Sequence, residues 1–441
     1  MTRLALALIL SFFASLPARA EVEIQEVVSP GGITAWLVQE PSIPFVALEL
    51  RFRGGASLDN PDKRGAINLM TGLLEEGAAD LDARAFARTL EGLAASLDYD
   101  VGPDAVSVSA RFLTENRDDA VALLRASLIE PRFDQDAIDR VREQVLTGLR
   151  SDAKDPDKIA RAAFNAMAYG DHPYGSNYRG TLDSVSALTR DDIVAAHSAV
   201  LARDRLYVGA VGDITPEELG DLLDTLLGAL PETGAPQPGP AEITIAGGYT
   251  VIDFDTPQSV AVFGQLGVEQ DDPDFFAARV LNQILGAGGF ESRLMTEVRE
   301  KRGLTYGVYS FLVPRDHAAT LQGQVASSND RIAEATTVIR EEWARAAAEG
   351  VTPEELDAAK TFVTGAYPLQ FDGNGPIARI MVGMQMLGLP IDYIATRNDK
   401  VEAVTLEDVN RVAAELLTPD ALHFVVVGKP EGIETSLPNE G

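Results

Sequence analysis

One stretch of this chain is written twice. The segment from Val185, VSALTRDDIVAAHSAVLARDRLYVGAVG, aligns without a gap to the segment from Val401, VEAVTLEDVNRVAAELLTPDALHFVVVG. Thr189 falls on Thr405, Asp192 on Asp408, Leu201 on Leu417, Asp204 on Asp420, Leu206 on Leu422 and Gly212 on Gly428. In each copy a Thr followed three residues later by Asp opens an amphipathic pattern, a turn follows, and a short β-branched run ends at glycine. That order predicts a capped helix, a turn and a strand in both places. A unit repeated so far apart implies two homologous domains in tandem, and the length of 441 residues accommodates them.

The boundary between them is readable. Pro231 to Pro240, PETGAPQPGP, forbids a helix and suits a surface linker. We therefore divide the chain into residues 21–230, a linker over 231–243, and residues 244–441. In the first half Leu48, Leu50 and Phe52 alternate with Glu49, Arg51 and Arg53, and Val106, Val108, Ala110 and Phe112 alternate with Ser107, Ser109 and Arg111. Alternation of period two with one polar face predicts a largely antiparallel sheet covered on one side. Helical periodicity lies between such strands, over Ala120–Ile129 and Phe133–Leu149. The expected fold class is α+β, a mainly antiparallel sheet packed with helices, built twice.

Residues 1–20 have a different character. A basic start at Arg3, an apolar run from Leu4 to Leu16 and the small-x-small ending Ala18-Arg19-Ala20 read as an export signal cleaved before Glu21, or kept as an anchor. No later run is apolar for the roughly 20 residues that a spanning helix needs. The expected location is an exported compartment, the periplasm if the source is a Gram-negative bacterium. The chain contains no cysteine, so its stability rests on cores and not on disulfides. A net charge of -30, spread along the sequence, argues against nucleic acid or anionic lipid as a non-specific partner.

Chemistry is concentrated in Leu281–Phe311, LNQILGAGGFESRLMTEVREKRGLTYGVYSF. Gly286, Gly288 and Gly289 interrupt an apolar run, and a new helix is expected from near Phe290 to Gly303, with Arg299, Lys301 and Arg302 in its last turn, where cations suit the helix dipole. Tyr306 is expected to open a short strand rich in Tyr, Val and Phe. An Arg and a Tyr at this spacing carry little information alone. Together with the glycine cluster and the run E-V-R-E-K-R-G-L-T-Y, the segment resembles the C-terminal-domain signature of the pitrilysin/insulinase family of zinc peptidases. The resemblance spans essentially all of the chain after residue 20. It implies two related α/β domains forming one half of a clamshell around a peptide-sized chamber, and it implies that Arg299 and Tyr306 contact the substrate backbone beside a metal.

That family binds zinc in its N-terminal domain through H-x-x-E-H on a helix, where two histidines one turn apart hold the ion and the Glu activates water. The corresponding segment here is GAINLMTGLLEEG, and the three positions carry Asn68, Thr71 and Gly72. The family's third ligand, a Glu on a later helix, corresponds to Gly148 in VREQVLTGLRSDAKDP. None of these residues suits a borderline-soft divalent ion. No other ligand set replaces them, because His172, His197, His317 and His423 are scattered at spacings unsuited to one helix face. Glu75 and Glu76 read as a solvated helix end and His172, in DHPYG, as a hydrogen-bonded loop residue. No G-x-S-x-G elbow, Walker loop or cysteine nucleophile suggests another chemistry.

The resemblance thus implies a non-catalytic subunit: it binds no cofactor itself, pairs with a homologue that carries H-x-x-E-H and its zinc, and supplies Arg299 and Tyr306 to a peptide substrate. The alternative is a catalytically dead scaffold or peptide-binding module of the same fold. A scaffold gives no reason to keep that Arg and Tyr at family spacing.

Overall fold

The computed structural model describes residues 23–436; the export signal expected over residues 1–20 lies outside the described residues. The strands of the first half are β1 (Gln25–Val28), β2 (Thr34–Gln39), β3 (Phe45–Arg53), β4 (Gly77–Ala78), β5 (Leu81–Asp82), β6 (Ser96–Val101), β7 (Ala105–Leu113) and β8 (Leu206–Gly212). Those of the second are β9 (Gly248–Asp253), β10 (Gln258–Leu266), β11 (Val308–Arg315), β12 (Ala318–Ser328) and β13 (His423–Gly428). They form a six-stranded sheet of order β1-β2-β8-β3-β7-β6, a five-stranded sheet of order β11-β12-β10-β13-β9, and the small pair β4-β5. The pairings β2 with β8 and β9 with β13 are parallel, and the remaining ladders are antiparallel. The two main sheets therefore share one topology, to which the first adds β1. This is the mixed α+β architecture expected, present twice.

The repeated unit is visible in atomic detail. Helices Arg190–Val200 and Leu406–Leu416 both start with a capping box, Thr189 with Asp192 and Thr405 with Asp408. Single-turn helices at Arg203–Arg205 and Pro419–Ala421 lead into β8 and β13. Both strands end in a glycine of positive φ, 143° at Gly212 and 153° at Gly428. A Cβ there would lie 2.2 Å from the Phe45 carbonyl oxygen and 2.3 Å from the Ser259 Oγ respectively, so neither position accepts a side chain.

Each sheet buries one face under helices of its own half. Leu48, Leu50, Phe52 and Val108 join Ile67, Leu124, Ile138 and Leu223 in the first core. Phe263, Leu321 and Phe424 join Val280, Ile339 and Trp343 in the second. The opposite faces are covered over their central strands by exchange. Helix Pro156–Tyr169 of the first half packs on β10 and β13, bringing Phe164 and Ala168 against Val260, Val262, Val425 and Val427. Helix Asn374–Met386 of the second half packs on β3 and β8, bringing Ala378 and Met381 against Trp36 and Val211. Glycines admit both helices: a Cβ on Gly264 would meet the Phe164 ring at 2.6 Å, and one on Gly209 would meet the Ala378 carbonyl oxygen at 2.7 Å. Gln385 Nε2 donates to the Val208 carbonyl at 2.8 Å, and Arg161 donates to Gln324 at 2.6 Å. The loop after Leu230 is tied to both halves, Ala235 N–H donating to Ala199 O (2.8 Å) and Ala241 N–H to His317 O (2.8 Å).

The sheet expected to be covered on one side is covered on its second face as well over β3 and β8, while Asp98 and Asp100 of β6 and Arg111 of β7 remain exposed. The polar residues of β3 do not face open solvent. Glu49 pairs across the ladder with Gly209, beneath helix Asn374–Met386, and is buried. Burial raises its carboxyl pKa; Ser109 Oγ donates to it at 2.6 Å and Arg51 lies 3.8 Å away, so the group is not left without partners. Alternation identifies the polar face, but a polar face with internal partners can still be buried.

The exchange makes a stability prediction. Gly264→Val forces a branched side chain into the Phe164 ring and is expected to cost about 3 kcal/mol, the upper end for overpacking. Gly239→Ala in the linker, where a Cβ meets nothing within 4 Å, is expected to cost less than about 0.5 kcal/mol. Urea denaturation of both variants checks this, and equal losses would contradict the packing described.

Candidate functional site

The degenerate motif occupies helix Ala66–Thr71. Its entry is organised by Asp59, whose buried carboxylate accepts Gly65 N–H and Ile67 N–H, both at 2.8 Å. Burial pushes the Asp59 pKa up to about 6, against the lowering effect of those two donors and of Arg64. The ligand positions are spent on packing. Thr71 Oγ1 is buried and donates to the Ile67 carbonyl one turn back, at 2.8 Å. A Cβ on Gly72 would already touch Val141 at 3.2 Å. Asn68 is half-buried.

Gly148, in helix Gln135–Asp152, has a specific neighbour. A Cβ on it would lie 2.2 Å from Nη2 of Arg179, whose Nη1 donates to Asp152 at 2.8 Å. A guanidinium therefore rests on the position corresponding to the third zinc ligand. Among the described residues no group of three or more His, Cys, Asp or Glu is placed to hold a metal. The residues present do not fit zinc: the donor set lacks imidazole and carboxylate, and Arg179 adds fixed positive charge. Glu75 is exposed and Glu76 pairs with Arg140. His172 Nδ1 accepts the Tyr174 N–H at 3.2 Å, which leaves Nε2 to donate to the Gly239 carbonyl at 3.1 Å. Burial lowers its pKa, favouring that neutral form.

The segment carrying Arg299 and Tyr306 departs from the expected local structure. In place of a helix from Phe290 to Gly303 there is a single 3-10 turn at Gly289–Glu291 and a π-helical stretch at Met295–Glu300, preceded by another at Gln283–Ala287. The earlier of these stretches packs closely on β11: a Cβ on Gly286 would lie 2.2 Å from Ser310 Oγ, and Ser310 is bonded to Asn282. The following strand begins at Val308, two residues later than expected.

Arg299 and Tyr306 line one surface cleft of about 450 Å³ together with Gly303, Thr305 and Arg331. The backbone beneath Tyr306 is pinned. Arg331 donates to the carbonyls of Gly303 and Arg302 at 2.9 and 2.8 Å, Ser327 Oγ to Leu304 O at 2.5 Å, and Thr305 Oγ1 to Ala326 O at 2.6 Å. From this base the Tyr306 side chain projects outward, 87% exposed. The Arg299 guanidinium lies 4.5 Å from the centroid of the Phe290 ring. Lys301 and Arg302, by contrast, are held at 2.6 and 2.8 Å on the buried Glu297. Burial would raise the Glu297 pKa, but those two cations hold it below the usual range. The Arg299 guanidinium and the Tyr306 hydroxyl have no hydrogen-bond partner among the described residues. The arrangement offers a phenolic and a guanidinium donor, both able to bond carbonyl oxygen.

The sequence singled out Gly148 but gave no signal for Arg179, which lies 31 residues further on. A double-mutant cycle tests the pair. Gly148→Ala in the intact chain must displace the guanidinium and is expected to destabilise by about 1 to 2 kcal/mol. In an Arg179→Ala background that contact is gone, and the sign should reverse to a gain of about 0.5 to 1 kcal/mol from helix propensity. Thermal or urea unfolding of the four proteins measures both.

Comparisons with known proteins agree with this geometry. Residues 34–182 match the model of the insulinase family, peptidase family M16, and residues 187–363 match that of the peptidase M16 inactive domain. The non-peptidase homolog YmxG of Helicobacter pylori is 27% identical over 432 residues, covering 97% of this chain and 98% of that protein. An uncharacterized zinc protease of Mycobacterium leprae is 27% identical and covers 88% of each chain. A crystal structure described as a peptidase M16 inactive domain, from Pseudomonas fluorescens, superposes with a TM-score of 0.87 at 29% identity, covering 94% of this chain and 100% of that one. A protease structure from Helicobacter pylori shares the fold, with a TM-score of 0.84 at 17% identity and coverage of 92% and 100%. With both family domains matched and ligand positions that carry no zinc ligand, the chain belongs to the M16 insulinase family as a non-catalytic homologue.

Proposed function

We propose that this chain is the non-catalytic subunit of an exported, two-chain zinc peptidase, periplasmic if its source is Gram-negative. Its catalytic partner is an M16 homologue carrying H-x-x-E-H, and this chain presents Arg299 and Tyr306 to the peptide held between them. The observation that carries the reading is the pair itself. A chain whose motif and third-ligand positions carry Asn68, Thr71, Gly72 and Gly148 still holds a phenol and a guanidinium in one cleft, on a pinned backbone, without internal hydrogen-bond partners. The relative named a non-peptidase homolog supports the absence of activity in the chain alone.

The chemistry divides sensibly between two chains. Zinc in the partner supplies the polarised water. The Tyr306 hydroxyl donates to the oxygen on which negative charge develops, and Arg299 grips a neighbouring carbonyl of the same peptide. Neither contact requires a metal in this chain. A stable pair needs an interface of at least about 1,200 Å².

Three outcomes follow. The purified chain should carry no stoichiometric zinc by elemental analysis and cleave no peptide. Mixed with its catalytic homologue, it should shift to a heterodimer in size-exclusion chromatography. In the reconstituted pair Tyr306→Phe should lower kcat by about 10² to 10³, the usual cost of one oxyanion donor. Arg299→Ala should chiefly raise KM, because it bonds ground state and transition state alike. A scaffold would leave both variants with wild-type kcat and KM while pairing persists, and that result would remove Arg299 and Tyr306 from the mechanism.

A further inference from the structure

Beside Gly148 opens a second cleft, of about 610 Å³, within the range of small-molecule sites. Its wall holds four cations, Lys158, Arg161, Arg179 and Arg315, against one carboxylate, Asp152. In a chain of net charge -30 this is the reverse of the average surface. Internal pairing does not account for it. Arg179 is bonded to Asp152 at 2.8 Å and Arg161 gives one Nη to Gln324 at 2.6 Å. The Lys158 ammonium and the Arg315 guanidinium have no hydrogen-bond or ion-pair partner among the described residues. Arg315 is nonetheless fixed in place: its guanidinium lies 4.8 Å from the Tyr174 ring centroid and 5.3 Å from that of Tyr169. Stacking on aromatic faces sets its direction and leaves its in-plane donors available.

We propose that this cleft binds a carboxylate of an acidic peptide segment, through Arg161, Arg315 and Lys158, with Arg179 behind them. The identification of the ligand as a peptide rests on the function proposed above. A planar guanidinium fork matches a carboxylate in geometry and charge. Ile159 and Ala162 add apolar surface beside the cations, which suits a carboxylate on a carbon chain better than a bare inorganic anion. The site also needs both halves of the molecule, since Arg315 ends β11 while the other three cations come from the first half. The arrangement selects against the basic peptides that the overall charge would attract, so local lining and global field favour different ligands.

The test is calorimetric titration of the full chain with a short peptide containing glutamates, its glutamine counterpart, and inorganic phosphate. The glutamate peptide should bind at least about tenfold more tightly than the glutamine peptide. The double substitution Arg161→Gln and Arg315→Gln should remove that difference while leaving the thermal transition in place, and Arg315→Lys should restore part of it. Equal binding of the two peptides, unchanged binding by the doubly substituted chain, or phosphate binding as tightly as the glutamate peptide would each overturn the proposal. Loss of the kinetic effects at Arg299 and Tyr306, with glutamate binding intact, would instead count against the two-subunit reading alone.

Discussion

The interaction on which the rest of this structure depends is the exchange of one helix in each direction between two sheets. Neither half covers both faces of its own sheet. Phe164, on helix Pro156–Tyr169, completes the second half, and Met381, on helix Asn374–Met386, completes the first; both are fully buried. Burying one such side chain contributes roughly 1.5 to 3 kcal/mol. The exchange is possible only because Gly209 and Gly264 let a helix approach the sheet backbone. Two domains built this way cannot drift relative to each other as tethered modules would.

That rigidity sets the positions of the chemical groups. The cleft lined by Arg161 and Arg315 draws on both halves, and Arg161 sits on the exchanged helix itself. The Arg53 guanidinium spans the same junction, bonding the Met386 carbonyl at the end of the other exchanged helix and pairing with Asp316 at 3.0 Å. Charges that the sequence scatters become partners across the junction.

The region corresponding to the family's metal site keeps an ordered fold without the ligands. Asp59 still organises the start of its helix through two backbone N–H groups, so the local architecture does not need the ligands. With no side chain at Gly148, Arg179 lies over the helix and pairs there with Asp152, so a guanidinium occupies the place where the family resemblance puts a ligand. Arg299 and Tyr306 are built on a separate set of backbone bonds in the second half, which explains how their geometry is independent of that change.

What the sequence determined by itself was whatever depends on near neighbours. The capping boxes at Thr189 and Thr405 join residues three apart, so the tandem repeat was legible and with it the two-domain α+β fold, whereas the crowding that holds Gly212 and Gly428 comes from Phe45 and Ser259 on distant strands. The missing zinc ligands were legible through the family resemblance, which marks Asn68, Gly72 and Gly148 as the positions to compare. The tertiary structure decided the rest. Alternation in β3 marked Glu49 as polar but not as covered, because the covering helix begins more than 300 residues away. Where one helix was expected from Phe290, a 3-10 turn and a π-helical stretch stand instead, and the segment before them sets Gly286 against Ser310 of a later strand. Arg179 over Gly148, and Arg315 against Tyr174, are likewise meetings of distant segments, and only the folded chain brings such groups within reach of one another.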